Sequence, residues 1–132
     1  MAQPSYLSLL KEARKTRKTL PPEVRGLCAI AAGLLYKSLE KRGIRSTLLV
    51  TEEVEFSHVF LKVPNVRGHG DMLLDVTASQ FEKERDIEIR PLERLDMEKF
   101  YWWNDPQEVA TPSELRRLQE EAGWPPDQWI MP

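Results

Sequence analysis

Apolar positions along the chain keep two spacings, and the switch between them divides it into elements. Tyr6, Leu9, Leu10 and Ala13 recur at helical intervals behind Ser5, which predicts a helix over residues 5–18. Leu20-Pro21-Pro22 ends it, because two consecutive prolines remove backbone donors and cannot continue a helix. A second helix is predicted over 26–42, with Leu27, Ile30, Ala31, Leu34, Leu35 and Leu39 forming a wide buried face. Ala29, Ala31, Ala32 and Gly33 keep one side thin enough for another backbone to approach, and Gly43 after Lys41-Arg42 is a C-terminal stop.

Beyond Gly43 the spacing changes. Residues 44–51 are β-branched and apolar, as in a central strand. Glu52-Glu53 is read as a turn. Over 54–63, Phe56, His58 and Phe60 alternate with Val59, Leu61 and Val63, a two-residue period. Pro64-Asn65 and Arg67-Gly68-His69-Gly70 read as a hairpin-like loop before a short strand over 72–76. Asp75 shares a face of that strand with Leu73, and burying it is costly unless it is paired. Residues 78–84 read as a helical turn and 87–90 as an edge strand. Met97, Phe100, Tyr101, Trp102 and Trp103 read as an aromatic seal on the core, with a protein-binding patch as the alternative. Thr111, Pro112, Glu114 and Gly123 punctuate a last helix, and a tail with Trp124 and Trp129 is expected to dock on the body. Helices beside strands that return by short turns predict an α+β fold, N-terminal helices packed on a small antiparallel sheet.

Composition narrows the function. The chain has 132 residues, which predicts a single domain over 1–132. Lys+Arg number 19 against 21 Asp+Glu, a net of −2, which argues against the basic footprint of a nucleic-acid binder. No apolar run approaches the ~18–20 residues of a membrane span. The start, Met1-Ala2-Gln3-Pro4, lacks the pattern of a secretory leader, so a cytoplasmic location is expected. Charge is nonetheless uneven. Residues 1–25 carry a net of +4, with Lys11, Arg14, Lys15, Arg17 and Lys18 on the first helix. Such a run is read either as a solvated face or as a site for an acidic partner.

Cys28 is the only cysteine, and His58 and His69 are the only histidines. One thiol makes no internal disulfide and no cysteine-rich zinc site. His58 and His69 lack the His-x₃₋₅-His spacing of a metal pair, so no metal or cofactor is expected. Taken alone, Cys28 reads as a small buried hydrophobe, His58 as a structural residue and Asp75 as a turn cap. Taken in order they fit a Cys-His-Asp arrangement. A thiol in the first turn of a helix meets the positive end of the helix dipole, which favours the thiolate. An imidazole on a strand can move its proton. A carboxylate on the next strand can hold the ring's tautomer. Gln80, five residues on, supplies an amide donor suited to an oxyanion.

Gly26-Leu27-Cys28-Ala29-Ile30-Ala31-Ala32, Ser57-His58-Val59-Phe60-Leu61 and Leu74-Asp75-Val76-Thr77-Ala78-Ser79-Gln80-Phe81 together resemble the papain-like, transglutaminase-like superfamily. Within it they most resemble the small glutamine-deamidase domains called papain-fold toxins. The likeness covers about residues 26–81, and the Asp-x-Thr-Ala-x-Gln-Phe segment is its most specific part. It implies Cys28 as nucleophile, His58 as general base and acid, Asp75 as orienter and Gln80 as oxyanion helper. It further implies a protein substrate and acyl transfer at an amide, with deamidation ahead of proteolysis or transamidation. Ala29-Ile30-Ala31 is more apolar than the family's pattern beside the cysteine, and Arg67-Gly68-His69-Gly70 lengthens the loop between the His and Asp strands, where it would shape substrate access. The alternative from a different class is a binding or inhibitory module that keeps the fold without catalysis.

Overall fold

Ser5 opens the first helix as its sequence predicts. Its hydroxyl accepts from the Ser8 backbone N–H at 3.1 Å, and α1 runs Tyr6–Lys18. A computed structural model describes residues 3–52, 57–77, 87–91 and 106–132 of the chain. The rest of the order is α2 (Cys28–Lys41), β1 (Thr47–Glu52), β2 (Ser57–Val66), β3 (Gly70–Asp75), β4 (Glu88–Pro91), β5 (Gln107–Val109), α3 (Pro112–Ala122) and a 3₁₀ turn (Pro126–Gln128). Among the described residues the strands form one antiparallel sheet in the order β4-β3-β2-β1-β5, so the fold is α+β. The expected turn at 78–84 and the aromatic group at 97–103 lie outside the described residues.

Several boundaries differ from the sequence expectation, each for a local reason. Ile44 does not begin β1. Its N–H goes to the Leu39 carbonyl at 3.0 Å while Gly43 N–H goes to Glu40 at 2.9 Å, the paired bonds that close a helix C-terminus. Pro64-Asn65 is not the hairpin loop either. β2 continues to Val66 through a register shift between Val63 and Val66, with Asn65 at φ 54 and its N–H held by Asp71 Oδ1 at 3.1 Å. Glu53 and residues 54–56 are outside the described residues, so β2 is followed from Ser57. β4 is the edge strand expected near 87–90. β5 was not predicted, since Gln107-Glu108-Val109 has no readable alternation and exists by pairing with β1.

The buried side of α2 is turned from the predicted one. Leu34 is 39 % exposed, whereas Cys28, Ala32, Leu35 and Leu39 are buried and share a stripe with Ala31. That stripe packs with Leu48, Val50, Val59, Leu61, Val63, Met72 and Leu74 from the sheet. Burial of this kind contributes roughly 25 cal/mol per Å² of apolar surface. α1 lies against α2 through Leu9 and Ala13, and through Glu12, a buried carboxylate that accepts from Ser38 Oγ at 2.7 Å and faces Arg42 Nε at 3.7 Å. Removing either partner would leave that charge under-satisfied.

The tail docks as its tryptophans suggest. Gln119 of α3, 1 % exposed, accepts from Ile130 N at 2.8 Å and donates to the Gln128 carbonyl at 3.2 Å. Trp129 Nε1 donates to the Trp124 carbonyl at 2.9 Å, with the Arg116 guanidinium 4.3 Å above its ring. Ile130 is fully buried against Gly33 of α2, where a Cβ would meet Ile130 Cγ1 at 2.7 Å. The thin side of α2 therefore has a specific occupant.

Candidate active site

α2 begins abruptly. Gly26 sits at φ 81, a region that suits a residue without a Cβ, and the chain enters the helix two residues later at Cys28. α1 is capped by Ser5 and α3 by Thr111, but the N-cap of α2 is Leu27, which makes no side-chain cap, and the first turn holds no acid. The positive end of the α2 dipole is therefore not offset by a capping oxygen, and the thiol is the first side chain beside it.

Antiparallel pairing brings the other two groups to the same end of the sheet. His58 is the second residue of β2 and Asp75 the last of β3, and Leu61 pairs with Leu74. That register sets Asp75 on the diagonal from His58, within reach across the pair. His58 Nε2 and Asp75 Oδ2 are 2.7 Å apart, with the two residues 0 % and 2 % exposed. The carboxylate accepts, so the ring carries its proton on Nε2 and Nδ1 is left for another partner. The Cys28 side chain also interacts with the ring and favours its charged form, and Nδ1 is the nitrogen that Asp75 leaves open to it.

The second oxygen of Asp75 is held as firmly. Oδ1 accepts from Thr77 N at 2.9 Å and from Thr77 Oγ1 at 3.1 Å. The turn-cap reading of Asp75 and its pairing with His58 are thus both realised, one on each oxygen. This gives the Asp-x-Thr spacing a physical meaning, since the residue two positions on fixes the plane of the carboxylate. Phe60 lies on the same side of β2 as His58 and stacks on it, with centroids 5.4 Å apart and planes 26° apart. Together these contacts leave the imidazole little freedom to rotate.

The electrostatics follow from the enclosure. Burial is the largest influence on His58 and works against its charged form. The charge of Asp75 and its hydrogen bond, then the hydrogen bond and charge of Cys28, outweigh it and bring the pKa from 6.5 up to about 9. The ring is therefore protonated at neutral pH, poised between a carboxylate and a thiol. Cys28 is 6 % exposed, and the crevice it shares with Ala32, Val59, Leu74, Asp75 and Thr77 is too tight to admit a water molecule.

Of the predicted site residues, the structure brings Cys28, His58 and Asp75 together. Gln80 lies outside the described residues. His69 is elsewhere, exposed on the loop after β2 with its ring 5.6 Å from that of Tyr6. The Arg67–Gly70 loop meets the N-terminal segment, Arg67 N–H donating to the Pro4 carbonyl at 2.9 Å. Among the described residues no group of three His, Cys, Asp or Glu side chains could hold a metal ion. Sequence reasoning missed Thr51. It pairs with His58 across β1 and β2, is 2 % exposed, and among the described residues its hydroxyl has no hydrogen-bond partner. Nothing in the local sequence marks it, because Thr51 reads as an ordinary strand residue. Comparison of the chain with protein-family models, with curated proteins and with solved structures finds no match in any of the three.

Proposed function

We propose that the chain is a cysteine hydrolase with a papain-like or transglutaminase-like core, acting on amide bonds of a protein substrate through a thioester on Cys28. The observation that carries this reading is the unbroken line of contacts Cys28–His58–Asp75–Thr77, with the thiol at a helix start that lacks a side-chain cap. The preferred acyl donor is a glutamine side chain. The Cys28 thiolate adds to the carboxamide carbon, and His58 gives its proton to the departing ammonia as the C–N bond breaks. Water then adds to the thioester, His58 takes one of its protons, and the carbon–sulfur bond breaks to release a glutamate side chain. The balance is glutamine plus water to glutamate plus ammonia. Asp75 holds the Nε2 proton throughout, so Nδ1 always faces the sulfur. By the family resemblance, Gln80 stabilises the oxyanion. A backbone amide as donor would make the same chemistry proteolysis, and an amine as acceptor would make it transamidation.

The test is a mass-spectrometric survey of lysate proteins treated with the chain or with Cys28→Ser. Glutamine sites that gain about 1 Da only with intact Cys28 support deamidation. Cleaved or crosslinked products move the assignment to proteolysis or transamidation. Iodoacetamide should alkylate the native thiol at a rate that falls at least about tenfold in His58→Ala.

The tightness around Cys28 favours a second reading, a binding or inhibitory module in which the trio only braces the end of the sheet. On that reading Cys28 reacts no faster than a denatured control, and Cys28→Ser keeps full biological activity. Both results together would sink the catalytic proposal.

A further inference from the structure

The basic run of α1 is not used by the proposed chemistry. Lys11, Arg14, Lys15 and Lys18 are all exposed. The only carboxylate on this helix, Glu12, is buried and engaged with Ser38 and Arg42. Among the described residues none of these four cations, nor Arg67, is paired with a carboxylate. Three cations from separate parts of the fold border one groove of about 360 Å³: Lys11 from α1, Arg42 from the end of α2, and Arg67 from the loop after β2. Ser5, Ser8, Ile44 and Glu12 are also in its lining, and the Glu12 carboxylate, buried and facing Arg42 Nε at 3.7 Å, is the one acid there against three cations. The groove is braced, because Arg67 N–H donates to the Pro4 carbonyl at 2.9 Å and its guanidinium to the Gln3 carbonyl at 3.3 Å. The Tyr6 and His69 rings pack beside this seam.

We propose that this groove binds an acidic polypeptide segment, its carboxylates meeting Lys11, Arg42 and Arg67. Guanidinium groups suit carboxylates because two N–H donors match two oxygens. The volume lies in the range of ligand clefts, roughly 300–1,000 Å³. A concave seam between two helices and a loop admits a narrow chain, whereas a lipid surface needs a convex or flat one. The remainder of the molecule is net negative, −2 overall against +4 for residues 1–25, so a long polyanion such as nucleic acid would be repelled outside the groove. A short segment feels mainly the local cations, since screening limits their reach to about 8–10 Å at physiological salt. The site is separate from the Cys28 crevice and shares no lining residue with it.

The experiment uses the full chain and a fluorescent hexaglutamate peptide, read by anisotropy at low salt and at physiological salt. Binding is expected, weaker at the higher salt, and weaker by at least about tenfold in Lys11→Glu/Arg67→Glu. Arg117→Glu, an exposed cation on α3, should leave it unchanged. Circular dichroism checks the fold, and Lys11→Gln/Arg67→Gln, expected to weaken binding by about threefold or more, replaces the reversal variant if that one unfolds. The proposal is overturned by no binding, by undiminished binding in the folded double variant, or by an equal loss in Arg117→Glu. It is equally overturned if phosphatidylserine vesicles or a single-stranded oligonucleotide bind more tightly than the peptide.

Discussion

His58 is the residue on which charge, burial and geometry converge. Its pKa of about 9 in the folded chain against 6.5 ordinarily means that the native state holds a proton which the unfolded state releases between those values. The associated stabilisation is full below pH 6.5 and is lost as pH rises toward 9, a difference of about 3 kcal/mol. Denaturant unfolding at pH 6 and pH 9.5 should show that decline, and an NMR titration of the ring should have its midpoint near 9. A midpoint at or below 6.5 would mean that Asp75 and Cys28 do not outweigh burial. Any activity through Cys28 should fall along the same alkaline limb as the imidazolium is lost. Thr51 makes a separate residue-scale prediction. A buried hydroxyl without a partner among the described residues is a desolvation cost, so Thr51→Val should raise unfolding stability by about 1 kcal/mol or more. Destabilisation in a chemical-denaturation series would show that the hydroxyl has a role this geometry misses. Cys28, His58 and Asp75 were legible as a trio because each residue type suits one step and each falls on a recognisable element. Thr51 was not, since its meaning comes from a cross-strand neighbour.

α2 is the element that ties the site to the rest of the fold. Its first residue is Cys28, its middle is Gly33 under Ile130, and its last turn carries Ser38 toward Glu12. Glycine inside a helix costs about 1 kcal/mol relative to alanine, so Gly33→Ala would stabilise an isolated helix. Here the added Cβ meets the fully buried Ile130 side chain at 2.7 Å. Overpacking of this kind costs about 1–3 kcal/mol, and net destabilisation is expected. A double-mutant cycle with Ile130→Val should recover part of the loss, because the smaller side chain makes room. A Gly33→Ala variant more stable than the parent would show that the tail does not press on α2. The thin side of α2 was readable from Ala29, Ala31, Ala32 and Gly33. That the C-terminal tail fills it was not, since almost 100 residues separate the two in sequence.

Across the whole molecule, local information ran furthest where an element's ends are written in its own residues. Ser5, Thr111 and Gly123 mark helix ends, and Pro21-Pro22 closes the segment after α1, by chemistry confined to a few positions. The α+β class followed from the change between helical and two-residue spacing. Register, by contrast, belongs to pairs of strands. The bulge between Val63 and Val66, the short β5 strand and the diagonal from His58 to Asp75 depend on which backbone groups meet, and no single segment encodes that. The turn of α2 that buries Cys28 and exposes Leu34 is decided the same way, by the shape of the sheet and the tail against which the helix settles. The charge asymmetry could be counted along the chain, but only folding brings Arg42 and Arg67 beside Lys11. What the sequence determined by itself was therefore the set of elements and the chemical inventory, one thiol, one strand histidine and one acid in order. Tertiary structure decided which of these touch, because contact at 3 Å is a property of packed neighbours and burial then sets the charge each one carries.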